Sequence, residues 1–197
     1  MAAECLPMGS SMSLAKVNNE SFSANLYLDG LPVVLNQQRL QQTLRHKRIT
    51  QGEKLDAEVG LADSRTSALI TLADNEDDAP LLLRFVPEGN CYAIQVIHPG
   101  VFDGARLFIE DKTHNLLVST SAPAQLYSIS TYGVAKASLS NIASGPAYIE
   151  LNSEPKDKPL YRQVSDGMSK FLDANPNGTG HNAFNPKPAR FVISVLK

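Results

Sequence analysis

Cys91 and His98 stand seven residues apart in CYAIQVIHPG, and a thiol beside an imidazole is a pairing that nucleophilic catalysis uses. In one extended strand that odd spacing sends the two side chains to opposite faces, so the pair requires a bend. The plainer reading is a buried thiol and a turn histidine before Pro99. In DNEDD, Asp74, Glu76 and Asp78 alternate as calcium ligands do. No glycine takes the sixth position, however, and Phe85 stands where a bidentate glutamate is needed, so the stretch reads as a solvated loop. Arg45, Lys47 and Arg48 form the basic run RHKR, joined by Arg39 and Lys54, and could grip a phosphate, a sulfate or an acidic partner. His46, His98, His114 and His181 are scattered with no metal-ligand spacing. NPNGTGHN, residues 175–182, lacks the Gly-Lys-Ser/Thr ending of a phosphate loop. No metal and no cofactor is expected. Three Asp-Gly pairs remain: Asp29-Gly30, Asp103-Gly104 and Asp166-Gly167, each first of all a tight-turn dipeptide.

The bulk properties narrow the function classes. A chain of 197 residues can build one domain with a sizeable core. Its net charge of −2 gives no global basic field, which counts against general nucleic-acid binding. No run of apolar residues is long enough for a transmembrane helix. Residues 1–21 have no basic segment followed by an apolar one, so they are expected to be a flexible leader rather than a secretion signal. A cytoplasmic protein, or one released without a recognisable signal peptide, is the expectation. Two reduced thiols, Cys5 and Cys91, fit that setting better than a disulfide.

From residue 22 onward, short apolar runs separated by Gly, Pro, Asn and Asp predict strands and turns in a single soluble all-β domain, 22–197. Leu55, Ala57, Val59 and Leu61 alternate with polar residues at a period of two, which predicts a strand. Other strands are expected at 67–73, 81–86, 91–97, 105–110, 115–120, 125–130, 132–139, 147–152, 170–174 and 189–196. LNQQRLQQTLRHKRIT, residues 35–50, reads either as a short helix with Leu40 and Leu44 on one face or as an extended segment with a long loop.

Three stretches share a form: PLLLRFVP, PAQLYSIS and PARFVIS each run from proline into a strand carrying Phe85, Tyr127 or Phe191. With four strands between 88 and 130, and about four on either side, the chain divides into three units. On Arg84-Phe85-Val86, Leu126-Tyr127-Ser128-Ile129 and Arg190-Phe191-Val192-Ile193, with GARLFIE and GPAYIEL, it resembles the β-trefoil superfamily. The resemblance implies about twelve strands in three four-strand units, with Phe85, Tyr127, Phe191, Ile129 and Ile193 in the core. A β-sandwich is the alternative. The ricin-type branch ends its units with Gln-x-Trp; this chain has no Trp, and Gln125-Leu126-Tyr127 comes nearest.

The resemblance also implies a role for the Asp-Gly turns, because an early-turn aspartate in trefoil lectins often accepts hydrogen bonds from sugar hydroxyls. Asp103 is then the best placed, with Phe102 and Tyr92 as stacking partners, and Asp29 and Asp166 as its counterparts. The expected function is a non-enzymatic, lectin-like glycan-binding protein, as part of a toxin or defence protein. Alternatives are a protein ligand, as for a trefoil protease inhibitor using loop 153–169 or 174–189, and an enzyme with Cys91 as nucleophile.

Overall fold

The computed structural model describes residues 20–142, 145–176 and 187–196. Its strands and helices follow in chain order. β1 (Phe22–Leu28) and β2 (Leu31–Leu35) lead into α1 (Asn36–Arg45), α2 (Gln51–Ala62) and α3 (Ser64–Ser67). Then come β3 (Ile70–Leu72), β4 (Leu82–Glu88), β5 (Cys91–Ile97), β6 (Arg106–Ile109), β7 (Leu116–Ser119) and β8 (Leu126–Ser130). α4 (Leu139–Ile142), β9 (Ala147–Ser153), β10 (Lys158–Pro159), β11 (Tyr161–Ser165), β12 (Met168–Leu172) and β13 (Phe191–Leu196) complete the described elements. Strand dominates at 43% against 18% helix, so the all-β class holds.

The architecture is not a three-unit trefoil but a closed six-strand antiparallel barrel with extra strands. Round the ring, β1 pairs with β4, β4 with β5, β5 with β8, β8 with β9, β9 with β13, and β13 with β1 again. Closure leaves these strands no free edge along the ring, which answers the pairing hazard of an open sheet. β1 and β5 each serve two neighbours on one edge. β1 meets β4 at Phe22–Ala24 and then β2 at Tyr27–Leu28; β5 meets β8 at Tyr92–Ala93 and then β6 at Gln95. The extra strands β2, β3, β7 and β6 fill the gap between those divergent ends. Leu69 bridges Leu117, and the Val118 N–H donates to Ala68 O at 3.0 Å.

Phe85, Tyr127 and Phe191 do lie in the core with Ile129 and Ile193, all at 1% exposure or less. The proline–strand–aromatic pattern therefore marks three barrel strands, β4, β8 and β13, and not the ends of three repeats. Phe85 stacks on Phe22 at 4.8 Å between ring centres, and Tyr92 meets both rings edge-on. The four strands expected between 91 and 130 are all present as β5 to β8.

Two further strand expectations fail for physical reasons. Residues 55–61 belong to helix α2, and of them Ala57 is buried while Leu55 and Val59 are exposed. Their alternation therefore never reported a buried face. The helix is set by its start: the Thr50 hydroxyl accepts from the Glu53 N–H at 3.2 Å, and the Glu53 carboxylate accepts from the Thr50 N–H at 2.8 Å. Residues 132–136 form turns, with Gly133 and Lys136 at positive φ, and Leu139 already opens α4, so no strand runs there. For 35–50 the helix is real, α1, and the basic run begins at its last residue, Arg45.

Asp29-Gly30 and Asp166-Gly167 close the β1–β2 and β11–β12 hairpins, with both central residues at positive φ. That is the turn whose twist matches its strands, and Asp-Gly suits it. A Cβ on Gly167 meets nothing within 4 Å. Gly167→Ala is thus a test of backbone strain alone, expected to cost about 1 kcal/mol in a urea titration. An unchanged midpoint would show that the turn relaxes.

Candidate functional site

The most developed constellation lies where β12 ends against the β6–β7 turn. In that turn, the His114 N–H donates to Glu110 O at 2.8 Å and the Glu110 N–H to Asn115 O at 3.0 Å. His114 sits at φ 59, a left-handed conformation that histidine tolerates better than most side chains. Its carbonyl accepts from the Asp173 N–H at 3.2 Å, which docks the end of β12 onto the turn.

The side chains repeat the join. His114 Nδ1 lies 2.9 Å from Asp173 Oδ1. The Ser153 hydroxyl, at the end of β9, donates to Asp173 Oδ2 at 3.1 Å, and Lys158 Nζ stands 3.6 Å from the same oxygen. The Asp173 side chain is 9% exposed and the His114 side chain 43%. A carboxylate only accepts, so Nδ1 carries the hydrogen and Nε2 is the ring's acceptor nitrogen. Tyr127, inside the barrel, is fully buried and its hydroxyl has no hydrogen-bond partner. Burial pushes its ionisation far above the ordinary phenol value, and the Asp173 charge adds to that.

His114, Ser153 and Asp173 line an open cleft of about 1080 Å³. Half-buried Phe108 contributes apolar wall, and Ser119 and Ser121 contribute hydroxyls. At its rim the Arg65 guanidinium grips Glu110, Nε to Oε1 at 2.8 Å, and Thr113 also donates to that carboxylate. These bonds hold the Glu110 carboxyl at about 2, against an ordinary 4.5. A depressed carboxyl stabilises the fold above its unfolded value and loses that contribution as pH falls. Parent and Arg65→Met are therefore expected to differ by up to about 1 kcal/mol at neutral pH, since the pair is partly solvated. The difference closes between pH 4.5 and about 2, as acid titrations of both proteins would show. A gap that persists at pH 2 would assign it to packing.

The residues singled out from the sequence are dispersed. Tyr92 is buried in the aromatic cluster and offers no ring face to a ligand. Phe102 is half-buried and packs on the core. The Asp103 carboxylate accepts from the His98 N–H at 3.3 Å, serving its own turn. Asp29 is held by Arg162 at 2.7 Å, and Asp166 is exposed at its hairpin. Among the described residues, no hydrogen bond, ion pair or ring contact joins these residues to one another. Arg45, Lys47 and Arg48 gather at a separate open hollow of about 490 Å³ with Gln42 and His46. Arg39 and Lys54 are not free to join them, being paired with Asp74 and Glu58.

Cys91 and His98 cannot form a nucleophilic pair. Cys91 opens β5 and His98 follows its last residue, and seven residues of strand span roughly 23 Å. Burial, then the nearby Glu154 charge, pushes the Cys91 thiol up, away from the thiolate that reacts. Glu154 Oε1 stands 3.4 Å from Lys136 Nζ without a hydrogen bond, so the contact is charge pairing. Asp74 and Asp78 are engaged with Arg39 and Asn75, and no group of three metal-ligating side chains occurs among the described residues. Loop 153–169 is interrupted by the two-residue β10 and by β11. Within loop 174–189, residues 177–186 lie outside the described residues, as do Cys5, His181 and the leader to residue 19.

Comparison with protein-family models, curated proteins and solved structures finds no match. No helix among the described residues is long and apolar enough to cross a membrane.

Proposed function

We propose that this chain is a binding protein that takes a hydroxyl-rich ligand of the glycan class in the cleft beside His114. The observation that carries this reading is the fixed imidazole: Asp173, almost buried, holds Nδ1 of a ring that is partly exposed and lines a cleft of about 1080 Å³. Ligand sites combine apolar wall with a few placed polar groups, and here Phe108, Ser119, Ser121 and His114 supply that mixture. A screen of immobilised glycans tests it. Binding that free sugar competes away, and that His114→Ala abolishes, is the expected result. Silence across a broad panel from demonstrably folded protein would end the reading.

A second reading follows from the same pair. An imidazole oriented by a carboxylate can take a proton from water and act as a general base. Ser153 is bonded to the Asp173 carboxylate rather than to the ring, so the arrangement is not a serine triad. Turnover of chromogenic esters or glycosides, lost in His114→Gln, would favour this hydrolase over the binding protein.

A further inference from the structure

We infer that the ligand of this cleft is anionic, a glycan bearing carboxylate or sulfate groups beside its hydroxyls; this rests on the binding reading above. The lining side chains look acidic at first, with Glu110, Asp111, Glu154 and Asp173 against Lys112, Lys156 and Lys158. Their pairing reverses that impression. Glu110 is neutralised from outside the lining by Arg65, and Glu154 likewise by Lys136. Asp173 is matched within the cleft by Lys158 and hydrogen-bonded by His114 and Ser153. Asp111 is the one lining carboxylate without an ion pair among the described residues.

Against it stand Lys112 and Lys156, both exposed and neither within ion-pair distance of a described carboxylate. The Lys112 charge lowers the Glu110 carboxyl less than the Arg65 and Thr113 contacts do. The cleft therefore offers uncompensated positive charge together with hydroxyls and an oriented imidazole. A neutral sugar would use the hydroxyls and the imidazole and leave both ammonium groups to water. A ligand that places an anion among them adds charge-assisted hydrogen bonds, roughly twice as strong as neutral ones. The ligand charge thus becomes the specificity determinant.

The test is calorimetric titration of the full chain with three probes of equal length: an oligogalacturonate, its fully methyl-esterified neutral form, and a sulfated oligosaccharide. At least one acidic probe is expected to bind roughly tenfold tighter than the neutral one, with the advantage shrinking as salt rises. Whether the carboxylated or the sulfated probe wins tells which anion is seated. The Lys112→Gln/Lys156→Gln variant is expected to lose the preference. The Lys47→Gln/Arg48→Gln variant, altered at the separate basic hollow, is expected to retain it.

Equal affinity for acidic and neutral probes would overturn the inference and leave the glycan reading standing. Loss of preference at Lys47 and Arg48, with none at Lys112 and Lys156, would overturn it by moving the anion to the other hollow. No binding by any probe would also overturn the inference, while the glycan reading itself stands or falls on the broad panel.

Discussion

Asp173→Ala is expected to abolish ligand binding and to cost about 2–3 kcal/mol of stability. The carboxylate is the shared acceptor of His114 and Ser153 and lies beside Lys158. Its removal strands the buried Ser153 hydroxyl, releases the ring of His114, and frees an ammonium group near the barrel end. The cost stays below that of a fully enclosed ion pair, because His114 and Lys158 both reach solvent and rehydrate. His114→Ala separates the two effects. It removes the imidazole but leaves Asp173 with Ser153 and Lys158, so binding falls while stability changes by about 1 kcal/mol or less. Urea titrations and glycan binding on both variants decide the matter. If Asp173→Ala unfolds easily but a stabilised version still binds, the dyad is a structural clamp and not part of the site.

Phe85→Ala has the largest expected effect on the fold, about 3–5 kcal/mol. The ring is fully buried, stacks on Phe22 and receives Tyr92 edge-on. Phe22, Phe85 and Tyr92 come from β1, β4 and β5, so one cavity would loosen three adjacent staves of the barrel. Chemical denaturation followed by circular dichroism reads the loss. A cost below about 1.5 kcal/mol would mean that the neighbouring rings collapse into the space, which close packing between paired strands opposes.

Much of the strand content was legible because local sequence determines it. β5 to β8 follow one another through short turns, and their apolar runs end at Gly, Asp and Pro. The closure of the barrel had no such signal. Tyr27 pairs with Val192, and nothing in either neighbourhood names the other. The trefoil resemblance weighed real core residues, Phe85, Tyr127 and Phe191, but a shared pattern of burial arises in any barrel strand. In α2 the misleading signal was Leu55, Ala57, Val59 and Leu61, while Thr50 and Glu53 already spelled a helix start.

The candidate site was illegible for a related reason. His114 and Asp173 are 59 residues apart, and each sits beside an ordinary turn or strand end. Only the docking of β12 against the β6–β7 turn brings them together. Asp-Gly pairs drew attention because their signal is local, and what that signal reports at Asp29 and Asp166 is hairpin geometry.

The seam between β1 and β13 also decides how the barrel would respond to mechanical load. Ser23 lies opposite Leu196, so the start of β1 and the end of β13 meet at the same end of the barrel. Tension applied at Phe22 and Leu196 pulls across that strand pair, not along it. Its hydrogen bonds are then loaded one after another, as in a zipper, instead of sharing the force in shear. Stretched from those two points, the barrel is expected to open first along this seam and at low force, with β4, β5, β8 and β9 still paired.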